Sequence, residues 1–283
     1  MLDFGIADAH LHIWDPKKLR YPWLDDNPFL NHAFLPENYT DACGSIKVDK
    51  MVFMQCECIP EEHFDEVEWV IEQTKNEPRI KGLISYAPME LGNGVEEELA
   101  RLHNNDLIKG VRRIIQYELD LNFCLREDFI AGVNLLPKYN FTFDICTDYR
   151  HNKNLIKFLE RTPDVKFILD HIGKPDIKGG QLEPWRSEIK TIASFPNVMC
   201  KVSSLATEAD HKNWTIEHLK PYAECIFENF GFDRTAFAGD WPVSSQAASY
   251  PVCVETLLTI VKGATHDDLY KLFRKNTEEF YRI

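Results

Sequence analysis

Short apolar, strand-like runs alternate along this chain with amphipathic segments whose apolar residues recur at helical spacing. The predicted strands cover residues 6–12, 50–58, 80–88, 108–115, 141–146, 165–171, 198–203 and 235–240. The predicted helices cover residues 61–76, 95–104, 128–139, 152–161, 184–194 and 216–230, and the chain from 250 to its C-terminus. We interpret the chain as eight strand-then-helix units with no break in composition between them.

This alternation indicates a parallel sheet covered by helices. The run 165–171 (VKFILDH) is almost continuously apolar, which is typical of a strand buried on both faces. Eight units fill one closed barrel, and 283 residues is an ordinary size for that fold. The sequence therefore predicts a single α/β domain over residues 1–283, a (β/α)8 TIM barrel. A doubly wound open sheet is the alternative, but no glycine-rich phosphate loop follows any predicted strand.

Residues 14–43 interrupt the alternation. They are rich in Trp, Tyr, Pro, Phe and Asn, and show no clear periodicity. A connection of this length is usually functional or disordered, and the aromatic content argues against disorder. We predict a long ordered loop after the first strand that lies over one end of the barrel.

Composition narrows the partners and the compartment. A net charge of −13 argues against nucleic acid or an anionic membrane as partner. The N-terminus lacks the features of a signal peptide, and no apolar run approaches the length of about 20 residues that spans a bilayer. The eight cysteines are scattered without a CxxC pair. We expect a cytoplasmic protein with reduced thiols, and a homodimer as the commonest assembly.

Ionisable side chains stand where a barrel of this kind carries its active site, at the carboxyl ends of the strands. His10 and His12 close the first strand, and their spacing places both on one face. His171 closes the sixth strand and Asp240 the last. A single histidine can be a satisfied core residue, and Asp240 alone could cap a helix. Together the four residues indicate an active site that holds a metal ion or binds a substrate oxygen.

Four motifs carry a resemblance to a known family. They are DAHLHIWD from Asp8, LDHIGKP from Leu169, CKVS from Cys200 and GDWPV from Gly239. With these motifs in order over nearly the whole chain, the sequence resembles the amidohydrolase superfamily. Within it, the sequence is similar to the sugar-lactone hydrolases, the L-fuconolactonase and L-rhamnonolactonase-like enzymes related to 2-pyrone-4,6-dicarboxylate lactonase. The resemblance implies an amidohydrolase-like barrel that hydrolyses a small-molecule sugar-acid lactone to the aldonic acid.

The resemblance also implies individual roles. His10 and His12 match the metal- or carbonyl-binding pair of the first strand, His171 matches the histidine of the sixth, and Asp240 matches the aspartate that activates water. These four residues are the candidate ligands of one divalent ion, with zinc as the first choice. A metal-free site, in which the histidines bind the substrate carbonyl directly, is the alternative.

A dinuclear centre is not expected. Dinuclear relatives carry a bridging lysine on the fourth strand and a histidine on the fifth. Here Lys109 stands early, before Gly110, and His151 lies several residues beyond the fifth strand.

A sugar lactone presents several hydroxyls, so selective binding requires fixed polar partners. The polar candidates at the strand ends are Gln55, Arg112, Asp144, Lys174 and Glu208. Trp14, Trp23 and Trp241 are candidate flat surfaces for the apolar face of the sugar. For Arg113 and Lys201 we favour an ordinary salt-bridging or outward-facing role.

Two other functions are compatible with the same barrel. The first is a metal-dependent decarboxylase or another amidohydrolase that acts on a small acid, although such enzymes usually need a histidine on the fifth strand. The second is a catalytically silent barrel that serves only binding or assembly. The intact set of three histidines and an aspartate at the strand ends argues against the second.

Overall fold

Eight parallel strands form the centre of the molecule. The computed structural model describes residues 2–283. The strands are β1 (Ile6–Leu11), β2 (Val48–Met54), β3 (Ile80–Ser85), β4 (Ile108–Val111), β5 (Thr142–Ile145), β6 (Lys166–Leu169), β7 (Val198–Val202) and β8 (Thr235–Phe237). Each strand pairs in parallel with the next one in the chain. The fold is the predicted (β/α)8 barrel.

The barrel closes between β1 and the residues that follow β8. Leu11 and Trp241 form a parallel bridge. The backbone N–H of His12 donates to the carbonyl of Trp241 at 2.9 Å, and the backbone N–H of Asp240 donates to the carbonyl of His10 at the same distance. The backbone bonds that close the barrel therefore involve three of the four predicted catalytic residues.

Helices surround the barrel, and the apolar core lies between them and the strands. They are α1 (Pro36–Cys43), α2 (His63–Thr74), α3 (Glu96–His103), α4 (Glu127–Val133), α5 (Asn152–Glu160), α6 (Trp185–Ile192), α7 (Ile216–Phe230), α8 (Tyr250–Ile260), α9 (His266–Tyr270) and α10 (Asn276–Tyr281). The continuous helix predicted from 250 to the C-terminus is interrupted between α8 and α9. No helix within residues 2–283 is long and apolar enough to cross a bilayer.

The segment 14–43 packs against the barrel and has structure of its own. Trp14 and Phe34 form a short antiparallel bridge, and Pro22–Leu24 makes a single 3₁₀ turn. Its last part is helical, because Pro36 suits the first turn of α1 and the side chain of Asn38 accepts the backbone N–H of Leu35 at 2.9 Å. The structure thus refines the predicted long loop to a shorter one that leads into a helix.

A buried aspartate ties the closed barrel to its helices. Asp8 on β1 is fully buried. It accepts hydrogen bonds from the hydroxyls of Tyr39 and Tyr250 at 2.9 and 3.0 Å, and from the backbone N–H groups of Gly239 and His10 at 2.8 and 3.0 Å. A Cβ at Gly239 would lie 2.5 Å from the Asp8 carboxylate, so only glycine fits beside it. One side chain therefore links β1, α1, α8 and the chain that follows β8.

We expect Asp8→Ala to lower the free energy of unfolding by about 3 kcal/mol or more, because four buried donors lose their acceptor. Tyr250→Phe is the matched control, since it removes one donor from the same carboxylate and should lower it by about 1 kcal/mol. Urea unfolding of both variants and the wild type measures the two losses. Equal losses in the two variants would contradict the linking role of Asp8.

Candidate active site

One carboxylate oxygen lies among three imidazoles at the mouth of the barrel. Asp240 Oδ1 is 3.6 Å from His10 Nε2, 3.5 Å from His12 Nε2 and 3.9 Å from His171 Nε2. The Nε2 atoms of His10 and His12 are 3.0 Å apart. The Ser204 hydroxyl donates to Asp240 Oδ2, which leaves Oδ1 facing the histidines. The structure brings together the four residues proposed from the sequence as catalytic residues and metal ligands.

Left-handed backbone turns place two of these side chains. His171 and Ile172, which follow β6, have φ of 51° and 53°, and Asp240, which follows β8, has φ of 50°. Such values are uncommon for residues other than glycine, and they concentrate at functional sites where the surrounding structure holds them. Strand ends with this backbone direct their side chains toward the barrel mouth and do not continue the alternation of the strand.

Hydrogen bonds from the rear nitrogens orient two of the imidazoles. His12 Nδ1 donates to the carbonyl of Met54 at 2.8 Å, so its Nε2 carries a lone pair that faces Asp240. His171 Nδ1 lies 2.8 Å from the hydroxyl of Ser203, which can donate or accept. Contacts of this type fix the orientation of metal-binding histidines in proteins.

Burial sets the charges at this site. It lowers the pKa of His10 and His12, and it lowers the pKa of His171 to about 4. Burial alone would raise the pKa of Asp240, but the neighbouring histidines outweigh it and hold that pKa well below its usual value. Near neutral pH the site therefore offers neutral imidazoles beside an ionised carboxylate.

This donor set fits a divalent ion. His10, His12 and Asp240 each offer one ligand atom, and these atoms lie within 4.8 Å of one another. A second group of the same kind consists of His10, Asp170 and His171. Two imidazoles and a carboxylate, with room left for a fourth ligand, are typical of catalytic zinc.

A buried charge network lies beneath the histidines. Lys201 Nζ is 2.5 Å from Asp144 Oδ2, 2.9 Å from Asp170 Oδ1 and 3.3 Å from His10 Nδ1. The hydroxyl of Tyr281, near the end of the chain, donates to Asp144 Oδ2 at 2.6 Å. Burial raises the pKa of Asp144 to about 6, and the adjacent ammonium group of Lys201 opposes the rise. The network therefore positions the His10 imidazole from the interior side of the barrel.

This network shows where two residues singled out from the sequence lie. Asp144, predicted to bind substrate, does not line the cavity, because its side chain is fully buried beside Lys201 and Tyr281 beneath the site. Lys201 does form salt bridges, as expected, but it points into the barrel and not outward. Arg113 forms the expected salt bridges, with Glu90 and Glu118.

Arg112 is buried between the network and the mouth of the barrel. Its Nη1 donates to Asp170 Oδ2 at 3.2 Å and lies 3.3 Å from His10 Nε2. Its Nη2 donates to the carbonyl of Gln55 at 2.6 Å. Both terminal nitrogens thus donate to the protein, while the positive charge of Arg112 remains beside the histidines.

A cavity of about 510 Å³ opens above the site. Its walls include His12, His171, Asp240, Arg112, Arg113, Lys174, Glu57, Glu90, Gln116, Tyr86, Tyr117 and Trp23. Of the predicted substrate-binding residues, Arg112, Lys174 and Trp23 line this cavity. Glu208 does not line it but lies behind Lys174, with Oε1 3.9 Å from Nζ.

Two further predicted substrate residues lie outside the cavity walls. The ring of Trp241 packs against Phe34 and Tyr39, each at 5.4 Å between centroids, and it is only 3% exposed. Gln55 is buried, and its amide donates to the carboxylate of Glu57 at 2.6 Å. Gln55 therefore contacts the cavity only through Glu57. Trp14, another candidate surface for the sugar, is buried as well.

Several residues of the site were missed from the sequence. Asp170 and His171 are neighbours, which would face opposite ways on a strand, but the left-handed backbone at His171 lets both face the barrel axis. Glu57 also has a positive φ, of 55°. Strand alternation directs the side chain of Lys201 into the barrel. The signal for this in the sequence was a charged residue within the apolar run of β7. Nothing in the sequence pattern marks Tyr281.

Comparisons with known proteins show the family and the fold of the chain. The sequence profile described as Amidohydrolase matches residues 7–283. L-fucono-1,5-lactonase of Burkholderia multivorans is 28% identical over 260 residues, which are 86% of this chain and 84% of that protein. L-rhamnono-gamma-lactonase of Scheffersomyces stipitis is 24% identical over 339 residues, covering 100% of both. A crystal structure of an amidohydrolase from Burkholderia multivorans with bound zinc superposes with a TM-score of 0.89 at 24% identity, covering 99% of this chain and 100% of that chain, which shows a shared fold.

A buried carboxylic acid supports the wall of the site from α2. The carboxylate of Glu66 accepts the backbone N–H of Cys56 at 3.1 and 3.3 Å. Cys56 follows β2, and its Sγ lies 3.4 Å from His12 Nδ1. Burial raises the pKa of Glu66 from 4.5 to about 8.

We expect Glu66 to make stability fall with rising pH. The folded protein holds the proton more tightly than the unfolded chain, so this stabilisation is complete below about pH 4.5 and is lost as the pH rises through about 8. Glu66→Gln removes the titration, so the stability of the wild type should fall relative to this variant between pH 5 and pH 9, by a few kcal/mol in all. Urea unfolding across that range measures the difference, with Glu68→Gln, an exposed position of the same helix, as control. Parallel stability profiles for wild type and Glu66→Gln would show that Glu66 has an ordinary pKa.

Proposed function

The chain belongs to the amidohydrolase family, and we propose that it is a lactonase that hydrolyses a sugar-acid lactone to the aldonic acid. The substrate class is L-fucono-lactone or a related aldono-1,4- or 1,5-lactone. The convergence of His10, His12 and His171 on one oxygen of Asp240, at the base of an open cavity, is the observation that carries the proposal. The two lactonase relatives, which match most of the chain, support the substrate class.

Asp240 acts as the general base in this proposal. Its ionised Oδ1 takes a proton from water, and the water oxygen forms a bond to the carbonyl carbon of the lactone. The tetrahedral intermediate then collapses with cleavage of the bond to the ring oxygen, and Asp240 returns the proton to that oxygen. Because the leaving group stays tethered to the product, the reaction requires no covalent intermediate with the enzyme.

The three histidines have different roles in this proposal, as an oxyanion donor and as metal ligands. If the Ser203 hydroxyl donates to His171 Nδ1, then His171 Nε2–H can donate to the oxyanion that develops on the carbonyl. His12 cannot do this while neutral, because its one N–H bonds to the carbonyl of Met54. Its free lone pair suits a metal ligand, together with His10 and Asp240. A zinc ion bound there would supply Lewis-acid polarisation of the carbonyl and a lowered pKa for water.

We expect Asp240→Asn to lower kcat by about 10²–10⁴-fold, because the amide cannot accept the proton. The measurement is acid release from L-fucono-, L-rhamnono-, L-galactono- and D-arabinono-lactones near neutral pH, with spontaneous opening subtracted. Asp164→Asn, an exposed position, is the control and should leave kcat unchanged. Near-normal turnover by Asp240→Asn would exclude it as the base. If the wild type opened none of these lactones, a binding role or an acidic substrate would be favoured.

We also expect the hydrolysis to depend on zinc held by His12. Chelation should abolish activity and added zinc should restore it, while His12→Ala should bind zinc at least about tenfold more weakly in competition with a chromophoric chelator. His32→Ala, at an exposed histidine, is the matched control. Hydrolysis that survives chelation, together with unchanged zinc affinity in His12→Ala, would support the metal-free alternative.

A further inference from the structure

The cations that line the cavity are already paired with acidic side chains. Within residues 2–283, each lysine or arginine in the cavity wall has a carboxylate within 4 Å. The pairs are Arg112 with Asp170 at 3.2 Å, Arg113 with Glu90 and Glu118 at 3.0 and 2.5 Å, and Lys174 with Glu208 at 3.9 Å. A substrate carboxylate that entered this cavity would have to compete with protein carboxylates for every cation.

Apart from Asp240 of the site itself, Glu57 is the acid of the cavity wall that has no cationic partner within the described residues 2–283. Among the described residues 2–283, no lysine, arginine or histidine forms a salt bridge with its carboxylate, although the side chain lines the cavity. Its one hydrogen-bond partner is Gln55, whose amide donates to Oε1 at 2.6 Å. The second oxygen, Oε2, makes no hydrogen bond within the same part of the chain. Glu57 thus presents to the cavity an acceptor that no salt bridge occupies.

The backbone holds this carboxylate in place. Glu57 has a φ of 55°, a conformation that residues other than glycine rarely adopt unless the surroundings impose it. Its backbone N–H donates to the side-chain oxygen of Gln55 at 2.6 Å, so the Gln55 side chain forms hydrogen bonds with both the main chain and the side chain of Glu57. The side chain of Glu57 is therefore oriented before any substrate binds.

We propose that Glu57 is a specificity-determining residue, whose carboxylate accepts hydrogen bonds from sugar hydroxyls and repels substrate carboxylates. An ionised carboxylate has acceptors only, so it complements hydroxyl donors and leaves an anionic group unpaired beside a like charge. The inference rests on the proposed lactonase function and narrows its substrate class to uncharged polyhydroxylated lactones. Lactones that carry a free carboxylate are disfavoured.

The test compares two lactones that differ in charge at one position. L-galactono-1,4-lactone carries a terminal CH2OH group where L-galactaro-1,4-lactone carries a carboxylate. We expect the wild type to prefer the neutral lactone, by the ratio of kcat/KM values, and Glu57→Gln to reduce that preference by about tenfold or more. KM for the neutral lactone should rise in this variant while its kcat stays close to normal, because the reacting groups are untouched.

Two further variants complete the experiment. Glu57→Gly removes the carboxylate and accepts the positive φ without strain, so it gives the same readout if Glu57→Gln folds poorly. Glu61→Gln, on the same connection but outside the cavity wall, should leave the preference unchanged. An unchanged preference in both Glu57 variants, with the neutral lactone still hydrolysed, would overturn the role of Glu57 and leave the lactonase proposal standing. A wild type that hydrolyses neither lactone, and none of the L-fucono-, L-rhamnono- and D-arabinono-lactones, would overturn the lactonase proposal itself.

Discussion

Two backbone hydrogen bonds between β1 and the residues after β8 close the barrel and assemble the site together. They join His10 to Asp240 and His12 to Trp241, so the parallel register at this junction fixes how far the imidazoles lie from the carboxylate. A slip of one residue would turn the side chains of a strand to its opposite face and separate the four groups. Asp8, with its four donors, holds the same junction from the helix side. The chemistry therefore depends on the closure of the fold.

Charge compensation inside the barrel is the second constraint. Two carboxylates, Asp144 and Asp170, lie under the histidines beside Lys201 and Arg112, so the buried charges balance. Buried ions are tolerated only when they are paired and hydrogen-bonded, and removing one partner leaves its counterpart uncompensated. Tyr281 contributes the last hydrogen bond to this network, which connects the end of the chain to the floor of the site. The network keeps His10 fixed without placing a net charge beneath it.

The regular hydrophobic pattern of the sequence predicted most of the fold, whereas side chains whose positions depend on irregular backbone were predicted poorly. Hydrophobic alternation predicted the eight strands, and the positions of His10, His12, His171 and Asp240 at strand ends, together with the family resemblance, marked the centre of the site. The inner surface was predicted less well. Asp144 faces inward like a site residue, but it lies below the histidines, and its depth along the barrel depends on where β5 begins relative to its neighbours.

Exceptions to regular backbone explain most of the other differences. Positive φ at Glu57 and His171 changes which side chains face the cavity, and strand alternation carries no sign of it. Trp241 follows the end of β8, where a residue of the cavity wall is expected. Its ring is instead enclosed by Phe34 and Tyr39 from the segment 14–43. That segment has no periodicity, so its contacts with the barrel were not predictable from pattern. The positions of these side chains therefore depend on contacts between residues that are far apart in the sequence.

The proposed mechanism requires direct attack of water activated by Asp240 on the lactone carbonyl, and a single turnover in oxygen-18 water tests this step. Enzyme in excess over an aldono-lactone would be quenched after one turnover, and the product analysed by mass spectrometry. The mechanism predicts one labelled oxygen in the new carboxylate and none in the hydroxyl released from the ring. An unlabelled carboxylate together with an unlabelled hydroxyl on the first turnover would show that Asp240 attacks as a nucleophile, and a labelled hydroxyl would show cleavage away from the carbonyl. Either result would contradict the proposed mechanism.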